Sequence, residues 1–337
     1  MNEYGFKSVF AKYMVSFLDE REARGFIKEK HISMLRSFDQ HLVRARYSNM
    51  MITYDVYEQW LDTMDSVGYR TRYGRISQIR QFFDFLIKNG IPCVMPRLPR
   101  YKKCEYVPYI FTEEEMQRVF KESDNLVSRQ TGKNTGIIAV PAIIRLLYST
   151  GARIGEALSI RNQDIDFAKH VITLRETKNG RERFLPINPS LEAVLKQYIK
   201  YRNRIPIAGV EDPDHFLFIN LTGQRVRPVS FVHWYKMVLE AADVIDTYNL
   251  KLPRIHDIRH TACLHVMHKM LENGEDLYCN LPKISAYMGH IKMSDTEYYL
   301  RMAQQYYPEM AKQQMGIIDS IKGIVNRALT VNSDGNV

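Results

Sequence analysis

Residues His256–Met267 read HDIRHTACLHVM. Cys263, Val266 and Met267 fall on one apolar face, which predicts a helix beginning here. Its first turn holds His256, Arg259 and His260, all cationic or able to become so. A helix N-terminus already presents free N–H groups and is electropositive, so cations there are disfavoured. An anion bound at that end would remove the conflict. The sequence around this stretch holds further cations suited to such an anion.

The chain has 337 residues, a length that suggests two domains. Its apolar share, 45%, is enough to build real cores, and its net charge of +9 favours a polyanionic partner. The four cysteines, Cys93, Cys104, Cys263 and Cys279, form no CxxC pair and have no zinc-ligand spacing with histidines. Reduced thiols in a cytoplasmic, nucleoid-associated protein are expected. The first residues lack a signal-peptide core. The most apolar stretch, GIIAVPAII (136–144), is too short to span a bilayer. Neither a secreted nor an integral membrane protein is expected.

The first hundred residues read as four helices. Phe6, Val9, Phe10, Tyr13, Met14, Phe17 and Leu18 mark one face, and Ile32, Leu35, Phe38 and Leu42 a second. A third helix is predicted over Val56–Met64, and a fourth carries Ile76, Ile79, Phe82, Phe83 and Leu86. The fourth is reached through GYRTRYGRISQIR (68–80), which bears Arg70, Arg72, Arg75 and Arg80 with aromatics among them. Such a segment can grip phosphates; its ordinary reading is a solvated helix face. The stretch NGIPCVMPRLPRYKKCEYVP (89–108) has four prolines and no periodicity. It is a linker, placed at 93–108, whose Lys102 and Lys103 suit a nucleic-acid backbone.

The second domain is expected over 109–305. Thr112 and Glu115 form a capping box, with Glu113 and Glu114 in the favoured first turn. A polar segment at 123–136 reads as a loop insertion. An apolar helix ends near Gly151, and another begins just after it. HVITLRETKNGRERFLPI (170–187) alternates around Asn179-Gly180, a hairpin signal. Helices resume to the end, the last over Ala311–Leu329 with Ile317, Ile318, Ile321, Ile324 and Val325 on one face. Residues 331–337 read as a disordered tail. The chain is thus mainly α with a small β-hairpin or sheet in its second domain (α+β).

Four places in this domain put cations beside a turn or helix end: TGARIGE (150–156) with Arg153, the hairpin with Lys178 and Arg181, HDIRH with His256 and Arg259, and YMGHIKMSDTEYYLR (287–301) with His290, Tyr298 and Tyr299. Each alone has a bland reading as a surface cation, a solvated tip, a structural pair or a half-buried aromatic. Together and in this order they resemble the tyrosine recombinase (phage integrase) family. That family carries an Arg in a TGxRxxE turn, a Lys in a β-hairpin, HxxRH, GH, and a Tyr nine residues after that His. The resemblance covers nearly the whole chain, with 1–92 similar to the helical core-binding domain. It implies catalytic roles for Arg153, Lys178, His256, Arg259, His290 and Tyr299.

Two guanidiniums can clamp the non-bridging oxygens of a phosphodiester at any relevant pH. Tyr299 is the implied nucleophile and Lys178 the implied general acid. The cations take the place of a metal, so no metal or other cofactor is expected. The DNA-binding residues expected are Arg70, Arg72, Arg75, Arg80, Lys102, Lys103 and Arg181. The implied partner is double-stranded DNA at a site with inverted repeats, bound by a dimer and paired in a tetramer. Residues 306–330 are expected to dock on a neighbouring subunit, and a helper protein is left open. Three departures stand out: MGH replaces LGH, YYLR surrounds the tyrosine, and 268–282 reads as a lengthened loop. A type IB topoisomerase and a non-catalytic DNA-binding accessory factor remain alternative readings.

Overall fold

The computed structural model describes residues 3–26, 28–101, 106–127, 132, 135–175, 182–248, 250–290 and 292–306. Lys102, Lys103, Lys178, Arg181, part of the 123–136 insertion, the expected helix over Ala311–Leu329 and the tail lie outside them. The chain divides into two compact units, Met1–Glu105 and Tyr106–Val337.

The first unit is built from α1 (Ala11–Ala23), α2 (Glu29–Arg44), α3 (Tyr54–Asp62) and α4 (Tyr69–Lys88). Phe10, Leu18, Leu35, Phe38, Trp60, Phe82 and Phe83 close its core. The first apolar face starts later as helix than its periodicity suggests. Phe6 and Phe10 are buried ahead of α1, because Asp39 draws the backbone N–H groups of Lys7 (3.0 Å) and Ser8 (2.8 Å) to its carboxylate. Those donors are satisfied outside a helix. Helix α4 begins at Tyr69, so the four arginines ride on the helix itself. Arg72 pairs with Asp65 at 3.1 Å, Arg80 donates to the Pro96 carbonyl at 2.6 Å, and Arg70 is exposed.

The second unit opens with α5 (Glu113–Asp124), and the Thr112–Glu115 capping box is formed on both sides. Helices α6 (Val140–Thr150) and α7 (Ile154–Ser159) follow, then a three-stranded antiparallel sheet. Its strands are β1 (Ile165–Asp166), β2 (Val171–Leu174) and β3 (Arg183–Pro186). The β2–β3 ladder ends at the pair Leu174–Arg183. Strand β1 is too short to leave an alternating signature in sequence. Helices α8 (Pro189–Arg202), α9 (Pro228–Ala241), α10 (Ile255–Glu272), α11 (Leu277–Met288) and α12 (Met293–Tyr306) complete the unit.

One expectation is overturned. Residues 268–282 are not a lengthened loop: α10 continues to Glu272, and α11 starts at Leu277 after a short turn. Met267, Leu277, Leu281, Ile284 and Met288 share one core, which holds both helices in place. The Asp276 carboxylate caps α11 by accepting from the N–H groups of Tyr278 and Cys279. Polar residues crowd the turn and hide this periodicity in the sequence. Among the described residues, no helix is long and apolar enough to cross a membrane.

Candidate active site

Helix α6 ends at Gly151 in the left-handed conformation (φ 60°), and a Cβ there would lie 2.9 Å from the Met288 sulfur. The turn delivers Arg153 to the start of α7. Glu156, one turn on and buried, accepts from the Arg153 backbone N–H at 3.0 Å and from its guanidinium at 2.7 Å. Arg153 is therefore held from behind while a quarter of its side chain stays exposed.

The start of α10 answers part of the conflict in its sequence. Asp257 is fully buried and accepts from the Arg254 N–H and the Tyr106 hydroxyl, both at 2.7 Å. Burial raises its pKa; the hydrogen bonds from Tyr106 and Arg254 oppose that. An acidic group in the first turn partly offsets the adjacent cations. Arg259 is buried, and its two terminal nitrogens donate to the carbonyls of Gly151 and Met288. Burial pulls its pKa down, and neighbouring Tyr299 works against the shift.

Helix α11 stops at Gly289 (φ 65°), which places His290 directly after it. His290 Nδ1 lies 2.9 Å from the hydroxyl of buried Thr296. Burial, then the Arg259 charge, pulls its pKa down to about 4, so this imidazole is neutral at pH 7. Tyr299 is 4% exposed and packs against two imidazoles. His290 is nearly parallel to it, with centroids 5.5 Å apart, and His260 lies at 5.1 Å. Burial pushes the phenol up to about 12, while the Arg259 charge opposes that shift. Tyr298, by contrast, is 42% exposed.

Arg153, His256, Arg259, His290 and Tyr299 thus line one cavity of about 520 Å³, together with His260, Ser294, Asp295 and Tyr298. Lys178 and Arg181 fall outside the described residues; Arg70, Arg72, Arg75 and Arg80 belong to the first unit. The sequence reading noted His260 in this turn but gave it no catalytic role; its imidazole stands perpendicular to His256 at 4.9 Å and is driven down to about 3 by burial and then by His256. The same reading missed Glu156 and Asp257 as supports, although both sit inside the quoted motifs. Arg183 of β3 escaped as well. Its guanidinium reaches Glu156 at 2.8 Å and the Met288 carbonyl at 2.6 Å. Among the described residues, no group of three His, Cys, Asp or Glu side chains could hold a metal ion. The cluster suits an anion: Arg153 and Arg183 share the Glu156 carboxylate, and Arg259 beside them bonds only carbonyls.

Residues 110–306, from just before α5 through α12, match the model of the phage integrase family. The chain belongs to this family, the tyrosine recombinases. The integrase/recombinase y4rB of Sinorhizobium fredii is 29% identical over 208 residues, 62% of this chain and 64% of that protein. The chain therefore spans slightly under two thirds of that relative. Tyrosine recombinase XerC of Staphylococcus aureus is 29% identical over 235 residues, 68% of this chain and 70% of that protein. The Tn1549 transposon integrase, solved with a circular intermediate DNA, shares the fold with a TM-score of 0.59 at 17% identity, over 85% of this chain and 94% of that one.

Proposed function

We propose that this protein is a site-specific DNA recombinase that cuts and rejoins duplex DNA through a 3′-phosphotyrosine bond to Tyr299. The observation that carries it is a buried phenol against Arg259, in a cavity that also holds Arg153 and His290. A scissile phosphate in this cavity meets both guanidiniums, which stabilise the charge that grows on its non-bridging oxygens. His290 is neutral, and in the tautomer whose Nδ1 accepts from the Thr296 hydroxyl the proton sits on Nε2, where it can be donated to a phosphate oxygen.

The Tyr299 oxygen attacks phosphorus and the bond to the 5′ oxygen breaks. The phenol proton passes to His256, and Lys178 gives a proton to the leaving oxygen. Rejoining is the reverse attack by the 5′ hydroxyl of another strand, so the phosphoester energy is kept. DNA is the partner. Arg70, Arg72, Arg75, Arg80, Lys102, Lys103 and Arg181 contribute backbone contacts. Of these, Arg70 is exposed, whereas Arg72 and Arg80 must release internal partners first. The site has inverted repeats, a dimer binds it and a tetramer pairs two sites, with residues 306–330 docking in trans.

The test is recovery of protein-linked DNA after detergent lysis of cells that hold the protein and its source DNA. Adducts are expected with wild type and Tyr298→Phe and not with Tyr299→Phe. Adducts that persist in Tyr299→Phe would remove the assignment.

A further inference from the structure

We propose that Arg183 is a positioning residue for strand cleavage, locking both phosphate-clamping arginines and the His290 turn into one unit. The inference rests on the recombinase reading above. Arg183 opens β3 and forms the last pair of the β2–β3 ladder with Leu174. Its side chain is 11% exposed. One terminal nitrogen donates to Glu156 Oε2 at 2.8 Å, the carboxylate oxygen that also accepts from the Arg153 N–H. The other donates at 2.6 Å to the Met288 carbonyl, which also accepts from Arg259.

Both hydrogen-bond partners of Arg183 are therefore shared with a clamp arginine. A carbonyl oxygen has two lone pairs, and two guanidiniums occupy those of Met288. Arg183 also packs against the glycine that precedes His290: a Cβ on Gly289 would come within 1.7 Å of its Nη1. Arg153, Arg259 and His290 come from three separate helices or helix ends. Arg183 joins the backbone or carboxylate that holds each of them.

The arrangement is a poor one for stability alone. The Arg183 Nε is buried without a hydrogen-bond partner, and burial pulls the guanidinium down to about 10. Arg183 and Arg153 share the Glu156 carboxylate while neighbouring Arg259 bonds only carbonyls, a local excess of positive charge that a phosphate in the cavity would relieve. A buried cation that is costly in the free protein and useful once an anion binds fits a role in aligning the clamp.

The experiment measures adduct formation on a nicked duplex, chosen from a randomised DNA library by its binding to Tyr299→Phe. Wild type, Arg183→Met and Arg183→Lys are compared at saturating DNA, with Kd measured separately. Arg183→Met is expected to cleave about 100-fold slower, the cost of an ångström-scale misplacement of reacting groups. Its Kd should stay within about threefold of wild type, because the lost term belongs to the transition state. Arg183→Lys restores one charged donor and should recover about tenfold of the loss. Should Arg183→Met not fold, Arg183→Lys against wild type carries the same test, with slower cleavage expected at unchanged Kd. Cleavage at the wild-type rate in a folded variant, or a loss confined to Kd, overturns the assignment. Absence of any wild-type adduct overturns the recombinase reading itself, and the role of Arg183 with it.

Discussion

Tyr299 and Tyr298 are neighbours in sequence with opposite environments, and burial separates them. Tyr299 sits between His260 and His290 and is held protonated in the free protein, with its pKa at about 12. In the proposed reaction, phosphate and a proton acceptor arrive before this phenol attacks. His260 carries a stability consequence. Its folded pKa, about 3, lies below the unfolded value near 6.5. The unfolded chain therefore takes up a proton first as pH falls. The contribution is full above about pH 6.5 and is lost toward pH 3, at about 1.4 kcal/mol per pH unit. Urea unfolding at pH 4.5, 5.5 and 7 should show this slope, and His260→Gln should reduce it by roughly one proton. Glu156→Gln leaves the Arg153 and Arg183 guanidiniums without their carboxylate. It should cost about 3 kcal/mol in the same assay; a loss below about 0.5 kcal/mol, the range of an ordinary surface substitution, would argue against that balance.

At the scale of elements, the site depends on two left-handed helix ends, at Gly151 and Gly289. Gly289→Ala combines an unfavourable φ with a clash against Arg183. It should destabilise by more than about 1 kcal/mol, and its cleavage rate should fall as His290 is displaced. Thermal unfolding beside the cleavage assay separates the two effects. Asp276→Ala removes only the cap of α11 and should cost about 1 kcal/mol with the cavity intact. Clean periodicity made α2, α4 and the β2–β3 pairing readable in the sequence, and the Thr112–Glu115 capping box did the same for α5. The turn between α10 and α11 was misread, because Asn273, Gly274, Glu275 and Asp276 look like a long loop when the packing of Leu277 and Leu281 is unseen.

At the scale of the molecule, each unit has its own apolar core. Calorimetry should then give a measured unfolding enthalpy larger than the van't Hoff value, the sign of more than one transition. A ratio of one would mean that the units unfold together. The charge of +9 bears on DNA affinity. Binding should weaken linearly on a plot of log K against log salt, with a slope near −0.9 per phosphate contact. Arg70→Ala should make that slope shallower by about one contact.

The sequence by itself determined the helical class, the hairpin and the chemical inventory of the cavity. Periodicity and caps are local properties, and Arg153, His256, Arg259, His290 and Tyr299 lie in short motifs whose residue types already speak of an anion. Only the tertiary structure decided which tyrosine is enclosed, since burial depends on what α10 and α11 bring against α12. It also decided that Glu156, Asp257, His260 and Arg183 support the site. Their roles come from hydrogen bonds and ring contacts that span up to 151 residues of chain, as between Tyr106 and Asp257, and no local pattern encodes a contact at that distance.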